Sequence, residues 1–316
     1  MVLRPFWPAL AAAMLFRAAC AAPPAPVTVF VLAGQSNMEG QGFIPADPKR
    51  NGGKGSLETL AKDPKAPERL RQWLRADGGW AERDDVWVSY LGRTGALRPG
   101  FGAKDDRIGP ELGFGQVVGD ALDEPVLLVK LAWGGRSLGK DFRPPSAGGE
   151  TGPSYIEVVQ TVKEALADPG RVWPAAAGRP VRLAGFGWHQ GWNDRVNQAL
   201  NDAYATNMIC FIRDIRREFG TPALPFVIAS TGQGGAGDVH PRAVSLVRAQ
   251  EEAAAFFGPD GNVAFIDTRP FWRPKEESPN GQGYHWNGNA ETFHLIGTSM
   301  GEAMLRLMKE RRSSKP

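Results

Sequence analysis

The feature that most constrains the fold is a set of five short apolar runs spread along the chain. Each run is nearly continuous in Val, Ile, Leu and Phe instead of alternating with polar residues. Strands that are buried on both faces have this pattern, and such strands belong to parallel sheets covered by helices. The runs are VTVFVLA (27–33), PVLLVKLA (125–132), VRLAGFGW (181–188), LPFVIAS (224–230) and NVAFIDT (262–268).

The segments between the runs have the spacing of crossover helices. Residues 110–122 begin with Pro, which is favoured at the first helical position, and two later segments end at Gly. This alternation predicts a doubly wound α/β sandwich with three layers. Residues 41–108 do not fit the alternation, because they are rich in Gly, Pro and charge around one helical stretch (57–76). We expect them to form an insertion at the rim of a binding cleft.

The first 22 residues have the pattern of a secretory signal peptide. Arg4 precedes an apolar run, small residues follow, and cleavage fits after Ala21 or Ala22. No run in the chain is long enough to span a membrane, whereas Cys20 leaves a lipid anchor open as an alternative. We therefore expect a secreted or periplasmic protein with one domain over residues 23–316.

Composition excludes several classes of protein. Lys and Arg number 37 against 34 Asp and Glu, and the net charge of +3 provides no electrostatic footprint for nucleic acid. Two cysteines cannot build a disulfide framework. The chain has no metal-ligand motif, dinucleotide fingerprint or phosphate-binding loop, so we expect neither a metal nor a cofactor. The oligomeric state is left open.

Three polar motifs are expected to meet at one edge of the sheet. The first run is followed by Gly-Gln-Ser-Asn-Met (34–38), and the third runs into Trp-His-Gln-Gly-Trp-Asn-Asp (188–194). Gly-Tyr-His-Trp-Asn (283–287) stands just before the last helix. Ligand sites of open α/β sheets lie at the carboxyl ends of the strands. A serine placed there can present its hydroxyl to a substrate.

These motifs resemble those of SGNH-type (GDSL-like) hydrolases, and more closely the branch of sialate O-acetylesterases and carbohydrate esterase family six. GQSNM, HQG followed by Trp-Asn-Asp, the glycine block Ala-Trp-Gly-Gly-Arg-Ser-Leu (132–138) and the late histidine carry the resemblance. It runs over nearly the whole mature chain. It implies a five-stranded parallel, flavodoxin-like sheet and a serine esterase that removes acetyl groups from a carbohydrate.

The resemblance also implies residue roles. Ser36 would be the nucleophile and His285 its general base. The backbone N–H groups of Ser36 and Gly135 and the Asn193 side chain would form the oxyanion hole, with Gly134 as the alternative glycine. We expect substrate contacts from polar and aromatic residues of the same motifs. These are Gln35, Gln190, Trp192 and Trp286.

The sequence departs from the family at the acid of the triad. Many relatives have Asp three residues before the histidine, where this chain has Gln282. Others use the Glu of HQGE, where this chain has Trp192. We expect Asp194 to replace them, because triads are recognised by geometry and not by chain order. Glu291 and a dyad oriented by a backbone carbonyl are the alternatives.

Two other functions remain open at this point. The missing acid is compatible with a carbohydrate-binding protein that has lost the reaction. Gly-Arg-Ser-Leu-Gly (135–139) matches the nucleophile elbow of α/β-hydrolases, but the elbow needs a helix immediately after Ser137. The Pro-Pro and Gly-Gly pairs that follow argue against such a helix. The motifs do not name the acetylated glycan, and they do not separate hydrolysis from acyl transfer.

Overall fold

All five apolar runs form neighbouring strands of one sheet in the computed structural model, which describes residues 24–313. Across the sheet they stand in the order 2-1-3-4-5, which is the flavodoxin-like order, and they pair in parallel. The strands in these residues are β1 (Val27–Gly34), β2 (Gly42–Phe43), β3 (Arg83–Tyr90), β4 (Arg93–Leu97), β5 (Arg107–Ile108), β6 (Val126–Ala132), β7 (Val181–His189), β8 (Phe226–Ala229) and β9 (Val263–Ile266).

Helices cover both faces of the sheet, which explains why the strand sequences are apolar throughout. Phe30 and Leu32 of β1 face one helical layer, whereas Val29 and Val31 face the other. The first layer holds α4 and α10, and the second holds α5, α8 and α9. The helices are α1 (Ser36–Glu39), α2 (Leu57–Lys62), α3 (Glu68–Arg71), α4 (Pro110–Ala121), α5 (Pro153–Ala167), α6 (Trp192–Arg195), α7 (Gln198–Asp202), α8 (Tyr204–Glu218), α9 (Pro241–Ala255) and α10 (Ala290–Ser313).

The expected count of five strands is wrong, because the sheet has seven strands in the order β4-β3-β6-β1-β7-β8-β9. The two additional strands come from the predicted insertion. β3 pairs in parallel with β6, and β4 closes the edge in antiparallel pairing with β3. In β3 only Val86, Val88 and Tyr90 are buried. A strand with only one buried face alternates in this way and does not give the continuous apolar run on which the prediction relied.

The rest of the insertion lies outside the main sheet. The single helical stretch expected over 57–76 is divided into α2 and α3, which are separated by a segment that contains Pro64 and Pro67. Proline removes a backbone donor and clashes with the preceding turn, so one continuous helix is unfavourable there. β2 and β5 pair with each other in a separate two-stranded sheet.

The predicted signal peptide, residues 1–22, lies outside the described residues. Over residues 24–313 no helix combines the length and the hydropathy that crossing a membrane requires.

Candidate active site

Ser36 lies at the carboxyl end of β1, the middle strand of the sheet. The strand ends at Gly34, where a methyl group would lie 2.2 Å from the carbonyl oxygen of His189, so only glycine fits. Ser36 then opens the one-turn helix α1 (the serine turn, Ser36–Glu39). Its Oγ lies 3.0 Å from Nε2 of His285, which is 249 residues further along the chain. The structure thus brings together the two residues predicted as nucleophile and base.

His285 belongs to the loop Gly283–Gly288 (the histidine loop), and packing and hydrogen bonds fix the position of this loop. Trp286 and Asn287 follow with φ of +54° and +55°, a left-handed conformation that asparagine tolerates and that is rare for a bulky residue such as tryptophan. The Trp286 ring is fully buried, and Asn287 Nδ2 donates to the Arg273 carbonyl at 3.0 Å. Asn37 Nδ2 donates to the Tyr284 carbonyl at 3.1 Å and joins the loop to the serine turn. Such strain persists where the surroundings over-determine the conformation.

The electrostatic environment favours a neutral imidazole. Burial lowers the pKa of His285 from its ordinary value, because a charged ring is poorly solvated there. A neutral His285 can accept the Ser36 proton through Nε2, and this is the form that a general base needs.

We expect the acidic limb of kcat/KM for an aryl acetate to have its midpoint below about pH 6.5, the ordinary histidine pKa. A base with a lowered pKa stays neutral to lower pH, so activity is retained above that pKa and is lost as pH falls through it. A pH–rate profile measures the midpoint. His240→Asn is the control, because His240 caps α9, Asn is an equally good cap, and the limb should not move. A midpoint at or above the ordinary value would contradict the assignment.

Asp194 does not orient His285 in this structure, contrary to the expectation for the triad acid. Its carboxylate is buried and accepts hydrogen bonds from Leu138 N at 2.8 Å, Gly139 N at 2.9 Å and Gln190 Nε2 at 2.6 Å. Burial raises its pKa to about 6, and these hydrogen bonds oppose the rise. Asp194 therefore holds the loop after β6 against α6. Triad geometry depends on tertiary contacts that chain position does not reveal.

The alternative acid is also engaged elsewhere. Glu291 Oε2 accepts from Arg273 Nε at 2.9 Å. Within residues 24–313 no carboxylate accepts a hydrogen bond from His285, whose side chain bonds to Ser36. The arrangement is that of a serine–histidine pair in which loop packing holds the ring.

Asn193 faces the loop after β6 (the glycine loop, residues 133–139). Its Nδ2 donates to the Gly135 carbonyl at 2.7 Å, and its Oδ1 accepts from Gln35 Nε2 at 3.0 Å. Gly134 and Gly135 are both exposed. An amide side chain and exposed backbone N–H groups beside a serine are the donors from which oxyanion holes are built. The three predicted donor positions are thus neighbours in the structure.

Two residues that were predicted to contact the substrate are instead buried inside the protein. Gln35 and Gln190 are both 1% exposed. Gln35 Oε1 accepts from Gln190 Nε2, Gly191 N and Asn193 N at 3.1 to 3.3 Å. These glutamines are internal connections between the motifs, and they satisfy backbone donors that burial would otherwise leave unpaired.

The aromatic wall of the site also differs from the prediction. Trp286 is fully buried and cannot stack on a ligand, whereas Trp192 is only partly buried. The residue that the prediction missed is Tyr284, which is 42% exposed. Its ring centroid lies 4.4 Å from that of His285 and 5.7 Å from that of Trp192. Its sequence position beside His285 was the available signal.

The other histidines and the second serine have structural partners. His189 Nδ1 lies 3.2 Å from the Ala229 carbonyl, His294 Nε2 lies 2.8 Å from Gln116 Oε1, and His240 caps α9. Ser137 is 4% exposed, and its Oγ donates to Asp141 at 3.1 Å. No α-helix follows Ser137 directly, so the elbow geometry is absent there. No group of three or more His, Cys, Asp or Glu within the described part of the chain is arranged to hold a metal.

Comparison with known proteins identifies a family that this chain matches. Residues 26–306 match the model of a family described as carbohydrate esterase, sialic acid-specific acetylesterase. A probable carbohydrate esterase of Arabidopsis thaliana is 25% identical over 213 residues, which are 66% of this chain and 71% of that protein.

Two solved structures share the fold. An Arabidopsis thaliana protein has a TM-score of 0.60 at 19% identity, with 89% of this chain and 98% of that chain covered. A structure described as a novel carbohydrate acetylesterase from Xanthomonas citri has a TM-score of 0.54 at 14% identity, with 89% and 56% covered.

Proposed function

This chain belongs to the carbohydrate esterase family of sialic acid-specific acetylesterases, and on that premise we propose that it removes O-acetyl groups from a carbohydrate by acyl transfer through Ser36. It is an esterase, as its family is. The single observation that carries the mechanism is the 3.0 Å contact between Ser36 Oγ and His285 Nε2. A nucleophile and its base need that separation.

The proposed first half of the reaction forms an acetyl-enzyme. Ser36 Oγ attacks the acetyl carbonyl carbon while its proton passes to His285 Nε2. The carbonyl oxygen becomes an oxyanion, and the tetrahedral intermediate collapses with cleavage of the bond to the sugar oxygen. His285 returns its proton to that oxygen, and the sugar leaves as an alcohol.

The second half regenerates the enzyme. A water molecule gives one proton to His285 and attacks the acetyl carbonyl carbon of the ester on Ser36. Collapse of the second intermediate releases acetic acid, and His285 returns the proton to Ser36 Oγ. The backbone N–H groups of Ser36 and Gly135 and the Asn193 amide are the proposed oxyanion donors in both halves. Asn193 Nδ2 has a second N–H beside the one that Gly135 accepts.

In this proposal His285 works without a carboxylate partner. The packed histidine loop replaces the acid in orienting the ring, because Trp286 and Asn287, which follow His285 directly, are buried. A carboxylate would also stabilise the imidazolium that forms during the reaction, and within residues 24–313 none accepts a hydrogen bond from His285. A dyad is therefore our assignment instead of the triad with Asp194.

The leaving sugar is proposed to lie against Tyr284 and Trp192. The Tyr284 ring borders His285, which is the group that protonates the leaving oxygen, and the Trp192 ring packs against Tyr284. Aromatic faces bind the apolar side of a sugar ring while their polar edges stay in water. Export of the protein through residues 1–22 is part of the same proposal.

The rival function is a carbohydrate-binding protein that no longer catalyses, and it is favoured by the absence, within residues 24–313, of a carboxylate that contacts His285. Labelling with a fluorophosphonate separates the two, because only an activated serine reacts. We expect covalent labelling at Ser36, with Ser137→Ala labelled like the wild type. We also expect acetate release from an O-acetylated sugar. An unlabelled Ser36 in folded protein would favour the binding protein.

A further inference from the structure

Glu39 is a half-buried carboxylate beside the reactive serine, and the proposed reaction does not use it. It ends the serine turn, three residues after Ser36. Its backbone carbonyl accepts from Lys130 Nζ at 2.7 Å, and its Oε1 accepts from the Tyr90 hydroxyl at 3.4 Å. Glu39 is therefore held both at its backbone carbonyl and at its side chain.

The contact between Lys130 and the Glu39 carbonyl is rigid, because Lys130 is fully buried. Besides Glu39, its ammonium donates to the Phe101 carbonyl and to Glu111 Oε2, both at 2.6 Å. It lies 4.4 Å from the centroid of the Tyr90 ring. A buried ammonium with three acceptors is strongly held, since each lost partner leaves a desolvated charge unpaired.

The end of the turn is confined as well. A methyl group at Gly40 would lie 2.1 Å from Gly109 Cα, so the chain passes Gly109 at backbone contact. Gly40 has φ of +93°, which glycine adopts without strain. Gly109 N in turn donates to Glu111 Oε1 at 2.8 Å. The Lys130–Glu111 pair therefore binds both segments that meet here, the Glu39 carbonyl through Lys130 and Gly109 through Glu111.

The side chain of Glu39 extends from this anchored turn to the glycine loop. A methyl group at Gly134 would lie 3.2 Å from Glu39 Oε2 and 3.8 Å from Ser36 Cβ. The Glu39 carboxylate and Ser36 thus both border Gly134 of the glycine loop. Burial raises the pKa of the Glu39 carboxyl, and the neighbouring Gly134 backbone and the charge of Lys130 oppose the rise. Gly134 and Gly135 are both exposed, and the Gly135 carbonyl accepts from Asn193 Nδ2 at 2.7 Å.

We propose that Glu39 is a positioning residue, which joins the serine turn to the glycine loop at Gly134 and so holds the proposed oxyanion donor, the Gly135 N–H, in place. This inference rests on the proposed function. Donors of an oxyanion hole act through exact placement, and a displacement of about 1 Å can cost about a hundredfold in rate.

Three variants test the reach of this side chain. Glu39→Leu fills the space without an acceptor, and Glu39→Asp keeps the charge but is one methylene too short. Glu39→Gln keeps an acceptor at the same reach. We expect kcat for an aryl acetate to fall about 10- to 100-fold in the Leu and Asp variants, with KM unchanged and Gln near the wild type.

Glu58→Ala is the matched control, because Glu58 is likewise a partly buried carboxylate that accepts a hydrogen bond, from Ala46 N at 3.0 Å, but it lies in the insertion. It should leave kcat unchanged. Thermal melts identify variants that do not fold, and if Leu is one of them the Asp and Gln pair still decides. Wild-type kcat in folded Asp or Leu variants, or an equal loss in Gln, overturns the positioning role. If the wild type itself shows no hydrolysis that depends on Ser36, the proposed function fails and the inference fails with it.

Discussion

Ser36→Ala is expected to lower kcat/KM for an aryl acetate by about 10⁴-fold or more. Without Oγ no acetyl-enzyme can form, and the oxyanion donors alone recover only a small part of the rate. His285 would keep its place, because the histidine loop is held by Trp286 and Asn287. The measurement is steady-state hydrolysis on protein whose melting curve matches that of the wild type.

Ser137→Ala is the control for this prediction. Ser137 is buried in the glycine loop, and its hydroxyl is bonded to Asp141. We expect its loss to leave kcat close to that of the wild type. The reverse pattern, with Ser36→Ala active and a folded Ser137→Ala inactive, would replace our assignment with the nucleophile-elbow mechanism.

Asn193→Ala has the second-largest expected effect, a fall in kcat of about 10² to 10³-fold with a much smaller change in KM. The amide donates to charge that exists only in the transition state, so its loss acts on kcat and not on ground-state binding. Steady-state kinetics with an aryl acetate and with an O-acetylated sugar should show the same ratio for both substrates.

Asn193 also accepts from Gln35, so part of any loss could come from a loosened network. Asn193→Asp keeps the acceptor toward Gln35 but has no N–H donor, so it loses both the bond to the Gly135 carbonyl and the donor to the oxyanion. We expect it to be as impaired as Asn193→Ala. Near-normal kcat in a folded Asn193→Asp variant would remove Asn193 from the oxyanion hole.

The sheet shows how far sequence patterns lead in this chain. The five strands with continuous apolar sequences were predicted, because such runs are typical of strands covered by helices on both faces. β3 and β4 were missed, since several of their residues are polar and partly or fully exposed and they contain no continuous apolar run. Charged residues such as Arg83 and Asp85 concealed a strand that pairs directly with β6.

The sequence predicted some contacts of the candidate site and missed others. The approach of Ser36 to His285 follows from motifs at the carboxyl edge of a parallel sheet. The hydrogen-bond partners of Asp194 do not follow from these motifs. Its carboxylate accepts from Leu138 N and Gly139 N, which are more than fifty residues away in the chain. Burial decided the remaining contacts: the two glutamines of the motifs are internal, and Tyr284 replaces Trp286 as an exposed ring.

By itself, the sequence determined the class of fold, because periodicity and strand ends are local properties, and the resemblance of its motifs to a known family supplied the order of the five apolar strands and the serine–histidine pair. Only the tertiary structure decided which polar groups are satisfied by the protein and which face a substrate. Two sets of contacts join segments that are far apart in the chain. Buried Lys130 and Glu111 hold the serine turn, and the Glu39 side chain contacts the glycine loop. Hydrogen bonds of this kind depend on distance in space, and no spacing in the sequence encodes them.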